Sequence, residues 1–267
     1  MKVLVTFAVE TEFAPWKKAL SLRTRVESGA AIHQSEISSV NVDFVVTGMG
    51  AENATRCAEI LMRESYDLVI AAGFAGALRS ELSVGDIVVA NVVQRLSPEA
   101  PASGSNRQLG NRQTMSSNPD LVARAAANGA TIIETLVSVD EIAATAEEKS
   151  QIAPFAKAAD MESFAILSAA RTHEIPAVAI RVISDSLHQG LPAGVNTLVN
   201  DTGAVNISGV AKYVVTRPLA VPAVIRLGRR SKSAAETLER FLESYIRGLS
   251  LASDTQPREE LQGVAAR

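Results

Sequence analysis

Six short, mostly unbroken apolar runs (3–7, 42–47, 68–72, 87–93, 131–137 and 177–183) recur between alanine-rich stretches over the first 183 residues. A strand reads this way when both of its faces are covered, and a sheet packed with helices on either side is the arrangement that covers them. The intervening stretches 10–20, 51–64, 119–128, 146–153 and 161–173 read as helices. The expectation is an α/β fold: a single three-layer domain with a central mixed, mostly parallel, twisted sheet flanked by helices. With 267 residues the core can be large; apolar residues make up 47% but aromatics only 4%, so Ala, Val, Ile and Leu must do most of the packing.

Local chemistry supports several boundaries. Asn118 before Pro119 reads as an N-cap with proline in the first turn, and Gly129 closes that helix. Thr145 to Glu148 fits a capping box. Residues 98–113 form the best loop candidate, long enough to cover a site. Near the end of the chain, Leu238, Phe241, Leu242, Tyr245 and Ile246 follow helical spacing behind a second apparent capping box, Ser233 to Glu236. The domain reading is therefore residues 1–216 as the α/β unit, 217–249 as a C-terminal helical appendage packed on it, and 250–267 as a flexible tail.

Composition excludes several classes. A net charge of −3 offers no positive field for nucleic acid. Cys57 is the only cysteine, so neither an internal disulfide nor a cysteine zinc cluster can form. The chain opens directly on a strand-like segment with no leader pattern, and nowhere are there some 18 uninterrupted apolar residues. A cytoplasmic protein is expected.

Ligands of such sheets bind beyond the carboxyl ends of the strands. Four segments meet that condition: Ala8 to Glu12, Thr47-Gly48-Met49-Gly50, Gly73-Phe74-Ala75-Gly76, and Ser184-Asp185. Asp160-Met161-Glu162, expected to open a helix, adds two more carboxylates, and Arg181 lies in the last apolar run. Several acids gathered around one arginine suit the cleavage of an N-glycosidic bond. The sugar becomes positively charged as that bond breaks, and the departing base needs a proton.

The A-x-E-x-E, T-G-x-G-x-x-x-A, D-x-[VI]-I-x-x-G-x-A-G-x-L…V-G-D-I-V-V, D-M-E and R-x-I-S-D motifs occur in that order over roughly residues 1–190. Together they resemble the nucleoside phosphorylase and nucleosidase superfamily, in particular the branch that hydrolyses methylthioadenosine and S-adenosylhomocysteine. The resemblance implies roles at matching positions. Asp185 would be the acid that protonates or hydrogen-bonds N7 of a departing purine, with Ser184 orienting it. Glu12 would hold and activate the attacking water, aided by Arg181. Glu162 would bind the ribose hydroxyls and Met161 would pack under the sugar, while Met49, Gly73, Phe74 and Ile142 would line the rest of the site. No metal or organic cofactor is implied. A small-molecule nucleoside is the expected partner, and a homo-oligomer, dimer or hexamer, the expected assembly.

Water is favoured over phosphate as nucleophile. Phosphate needs cationic and hydrogen-bonding groups at the 73–76 turn, and this chain has Ala71 and Ala72 before it and Phe74 within it. Phe74 and Ile142 also depart from the methylthioadenosine branch, which has a serine and an aromatic there. The run Ser184 to Pro192 and the arginine-rich segment 217–232 look instead like a hopanoid-associated phosphorylase branch acting on an adenosyl-lipid. For 217–232, an ordinary packed helix is preferred over contact with a membrane surface. A non-catalytic nucleoside-binding module is the alternative of another class.

Plainer roles compete at single positions. Asp160 is read chiefly as a helix cap and Glu10 as a first-turn carboxylate. Arg181 and Asp185 could form only an internal ion pair. His188 is read as solvated, Asp86 as a turn residue and Cys57 as core.

Overall fold

The computed structural model describes residues 1–96, 113–141, 145–188 and 221–253. Within them ten strands form one sheet: β1 (Lys2–Phe7), β2 (Arg23–Glu27), β3 (Ala30–Ile37), β4 (Val40–Val46), β5 (Leu68–Ala77), β6 (Ile87–Leu96), β7 (Gln113–Ser116), β8 (Thr131–Val139), β9 (Ala158–Asp160) and β10 (Ala177–Asp185). The helices are α1 (Glu10–Phe13), α2 (Trp16–Ala19), α3 (Ala51–Leu61), α4 (Pro119–Ala127), α5 (Ala146–Ile152), α6 (Ser163–Thr172) and α7 (Val221–Ser253).

The sheet is mixed. Strands β4, β1, β5 and β10 run parallel to one another, as do β6, β8 and β9. Antiparallel ladders join β10 to β6, β9 to β5, β7 to β6, and the β2–β3–β4 meander. Because β5 pairs with both β9 and β10, the five strands β5–β10–β6–β8–β9 close into a ring, and β1, β4, β3 and β2 extend from it as an open wing. The parallel alignment brings the carboxyl ends of β1, β4, β5 and β10 to one edge of the sheet.

Unbroken apolar runs are explained by covering on both faces. Leu4, Val69, Ala71, Ala177 and Ala179 pack against α3 and α6. Their neighbours Val3, Val5, Ile70, Val178 and Ile180 face the other way, against Phe13, Trp16, α4 and α7. One strand therefore serves two cores, with side chains alternating between them. On the α3/α6 side many positions are alanine, which lets helix and sheet approach closely.

Several sequence expectations change. The 10–20 helix is split into α1 and α2 around Pro15, which has no N–H for an intrahelical bond. The D-M-E motif does not open a helix: Asp160 ends β9, and α6 starts only at Ser163. The hairpin β2–β3 gave no strand signal because β2 is exposed and polar; Ser28 and Gly29, at φ 48° and 86°, make its two-residue turn. The Thr145 box is real, with its hydroxyl accepting from Glu148 N–H at 3.1 Å. The Ser233 box is not a helix start, because it lies inside the 33-residue α7.

Helix α7 forms part of a layer. Leu238, Leu242, Tyr245 and Ile246 are buried against the sheet, and the Tyr245 hydroxyl donates to the Leu121 carbonyl at 3.0 Å. Near its start Arg226, Arg229 and Arg230 are exposed. No described helix is long and apolar enough to cross a membrane. Replacing Leu242, which has no exposed surface, by alanine is expected to cost roughly 2–5 kcal/mol in urea unfolding. A loosely attached appendage would instead give a change within about 0.5 kcal/mol.

Candidate functional site

At the carboxyl edge of the parallel strands lies a cavity of about 190 Å³. Ala8, Val9, Glu12, Met49, Phe74, Ala75, Gly76, Leu78, Val139, Lys149, Ala159, Asp160, Met161, Glu162, Ser184 and Asp185 line it. The lining is mostly apolar, with polar groups gathered in two clusters.

The first cluster is built around Glu12. In the first turn of α1 its side chain folds back, so that Oε2 accepts from the N–H of Ala8 at 2.7 Å and of Val9 at 3.1 Å. The other oxygen, Oε1, accepts from Phe74 N–H at 2.7 Å. Three backbone donors thus hold one carboxylate that is only 3% exposed. Burial raises its pKa above the usual value, opposed by the Arg181 charge and the three N–H groups.

Arg181 comes from the middle of β10 and is itself buried. Its guanidinium donates to Asp160 Oδ2 at 2.6 Å, to Ser163 Oγ at 2.8 and 3.1 Å, and to the Ala72 carbonyl at 3.0 Å. It approaches Glu12 over Gly73. A β-carbon added there would stand 2.3 Å from Arg181 Nη1 and 2.7 Å from Glu12 Oε1, and Gly73 has φ 148°. Only glycine fits, for steric and conformational reasons together.

Asp160 accepts from Arg181, from Ser138 Oγ at 2.5 Å and from Ser163 N–H at 3.0 Å. It therefore does cap the approach to α6, and it also anchors the arginine. Glu162, 6% exposed, accepts from Gly50 N–H at 2.7 Å. Its pKa is pushed up to about 8, first by burial and then by Asp160 and Glu12, against the pull of Arg181 and the Gly50 N–H. Burial disfavours the ionised form of Glu162, and two neighbouring carboxylates beside a single guanidinium add to that cost.

The second cluster lies further along β5, where Asp185 stands beside Gly76. Ser184 Oγ donates to Asp185 Oδ1 at 2.7 Å, and the Lys149 ammonium donates to Asp185 Oδ2. A register shift between Ile183 and Asp185 bends the end of β10, and Ser184 and Asp185 both face the cavity.

Most residues singled out from the sequence are brought together here: Glu12, Met49, Phe74, Met161, Glu162, Ser184 and Asp185 all line the cavity. Arg181 and Gly73 stand behind its wall and act on it through Glu12 and Asp160. Ile142 lies outside the described residues, as do 97–112 and the chain from 189 to 220. An Arg181–Asp185 ion pair does not form: Arg181 pairs with Asp160, and Asp185 with Lys149. Glu10 pairs with Lys17 at 2.6 Å and does not line the cavity, His188 is exposed, and Asp86 accepts from Ser83 N–H in a turn.

Lys149 was missed by sequence reasoning. A lysine in the last turn of a short helix is ordinary, so local sequence carries no signal for it. Among the described residues no cluster of three metal-ligating side chains occurs.

Comparison with known proteins gives the family and the fold. The chain belongs to the phosphorylase superfamily, whose family model covers residues 2–216. Within it, the chain is 30% identical over 226 residues to the 5′-methylthioadenosine/S-adenosylhomocysteine nucleosidase of Colwellia psychrerythraea, spanning 78% of this chain and 93% of that protein. The fold matches that of the corresponding Neisseria meningitidis nucleosidase in complex with methylthio-immucillin-A (TM-score 0.67, 23% identity, 92% of this chain and 99% of that one). It also matches the futalosine hydrolase of Helicobacter pylori (TM-score 0.71, 17% identity, 93% and 98%).

Two outcomes follow from the geometry. Gly73→Ala is expected to cost at least about 1–3 kcal/mol in chemical denaturation, more than Gly85→Ala, whose β-carbon would meet nothing within 4 Å. The second concerns pH. The Glu162 pKa rises from the usual 4.5 to about 8 on folding, so its contribution to stability is complete at acid pH. That contribution is lost as pH climbs from the lower value through the upper one, because the unfolded chain ionises first. Thermal melts of the ligand-free protein should show this loss, and Glu162→Gln should flatten it.

Proposed function

We propose that the protein is a purine nucleosidase that hydrolyses the N-glycosidic bond of a 5′-modified adenosine, of the methylthioadenosine or S-adenosylhomocysteine kind, and releases adenine. The class, an N-glycosyl hydrolase, rests on the family and on relatives sharing 30% of their residues with the chain. The substrate and residue roles rest on the site.

The observation that carries the proposal is the placement of the carboxylates. Glu12, Glu162 and Asp185 all line the cavity, Glu12 beside Gly73 and Asp185 beside Gly76 further along β5, so a nucleoside between them would set its sugar against the first two and its base against Asp185. As the bond from C1′ to N9 breaks, its electron pair leaves with the purine, which takes a proton at N7 from the Asp185 carboxyl. The sugar gains oxocarbenium character, stabilised by the nearby carboxylates. Water adds to C1′ and gives its proton to Glu12, whose raised pKa suits a base working near neutrality. Glu162 accepts from the ribose hydroxyls, and Met161 and Met49 close the sugar side.

Hydrolysis rather than phosphorolysis is supported by the same cavity. Phe74, which lies within β5 rather than in a turn, stands where an anion would need donors, and its N–H is already committed to Glu12. Among the described residues lining the cavity, Lys149 is the only cation, and it is paired with Asp185.

The decisive experiment is mass spectrometry of products from methylthioadenosine, S-adenosylhomocysteine, inosine and an adenosyl-lipid, each with and without phosphate. Adenine and a free sugar are expected from the thioadenosines regardless of phosphate; a sugar 1-phosphate would overturn hydrolysis. Asp185→Asn and Glu12→Gln should each lower kcat by about 10²–10⁴-fold while melting cooperatively.

A further inference from the structure

The partner of Asp185 raises a chemical difficulty. The Lys149 ammonium is buried, with its side chain 2% exposed, and donates to Asp185 Oδ2 and to the Ser186 carbonyl at 2.7 Å. Ser184 donates to the other carboxylate oxygen at 2.7 Å. Both oxygens of Asp185 therefore accept, one of them from an ammonium in direct contact. A carboxylate whose two oxygens both accept has no proton of its own for a departing base.

We propose that Lys149 is the proton reservoir of the leaving-group acid: a positioning residue that works through Asp185. The idea rests on the reading of Asp185 as the group facing the purine. Before reaction the pair is ammonium and carboxylate. As the C1′–N9 bond breaks and its electron pair moves onto the purine, N7 takes a proton from the Asp185 carboxyl and Oδ2 takes one from Lys149. The carboxylate ends as it began, Lys149 is left as a neutral amine, and the purine departs neutral. The proton that the attacking water gives to Glu12 is the one that restores Lys149 through solvent, so the sum is nucleoside plus water going to purine plus sugar.

Basicity favours this route. A lysine-type amine ordinarily holds its proton to about pH 10, whereas an ordinary carboxylic acid loses it near pH 4. Matching the donor to a leaving group that becomes a nitrogen anion calls for the former, since proton transfer is most effective between groups of similar basicity. The charged groups that face the pair across the cavity are Glu12, Asp160 and Glu162, with Arg181 behind them. Helix α5 fits the role too: its Thr145–Glu148 capping box fixes the first turn, and with it the depth to which Lys149 reaches.

The test compares wild type, Lys149→Met, Lys149→Arg, Asp185→Asn and the Lys149→Met/Asp185→Asn double variant. Two substrates are used: methylthioadenosine, and a 4-nitrophenyl 5-methylthioriboside whose leaving group needs no proton. On methylthioadenosine, Lys149→Met should lose on the order of 10²-fold in kcat with little change in KM. The alkaline limb of its pH profile should move to lower pH, and Lys149→Arg should recover part of the loss. On the nitrophenyl riboside the same variant should lose far less. Since Lys149 acts through Asp185, the double variant should be no slower than Asp185→Asn alone; it also removes both buried charges, so neither is left unpaired. Equal losses on both substrates, or additive losses in the double variant, would mean a merely structural lysine and overturn the proposal. An Asp185→Asn variant that keeps full activity would instead sink the assignment of Asp185.

Discussion

One buried guanidinium holds this site together. Arg181 leaves the centre of β10, passes over Gly73 and ties Asp160, Ser163 and the Ala72 carbonyl to a single point beside Glu12. Two strands and the start of α6 are fixed relative to one another by that fork of donors. A lysine could not do this, because one point charge cannot reach three partners in a plane. The same cation makes it possible to bury Glu12 and Glu162 nearby at all.

That arrangement is deliberately short of positive charge. Of the three carboxylates around one arginine, Glu12 and Glu162 keep protons longer than exposed acids would, chiefly because burial raises their pKa values. In the proposed hydrolysis these groups would face the sugar, accept protons and offset a growing positive charge. Asp185 is instead matched one to one by the Lys149 ammonium. In the same reading that pair would face the leaving group, which gives the cavity a chemical polarity along the bond to be broken.

Much of this was legible before any coordinates. The apolar runs pointed to doubly covered strands, and residues just past β1, β4 and β10 were flagged because loops at that sheet edge bind ligands. Glu12, Met49, Phe74, Ser184 and Asp185 emerged from such expected strand ends, and Met161 and Glu162 from the D-M-E motif; all line the cavity. What stayed hidden was carried by weak local signals: β2 is polar and exposed, β9 has only three residues, and Pro15 was not read as a helix break. The Ser233 box misled because Ser-x-x-Glu spacing also occurs inside a long helix, and only chain continuity from Val221 shows it is interior.

The sequence by itself determined the covered strands, the edge of the sheet that would carry chemistry, and the acids that would stand there. These are short-range properties, set by alternation of side chains and by which residues follow a strand. Only the tertiary structure decided the pairing: Arg181 with Asp160 rather than Asp185, and Asp185 with Lys149 from a helix 36 residues earlier. Closure of the β5–β10–β6–β8–β9 ring brings α5 over the end of β10, and that proximity has no trace in local spacing. Which charge meets which is a question of distance in space, and in a low-dielectric interior it sets the chemistry of every group involved.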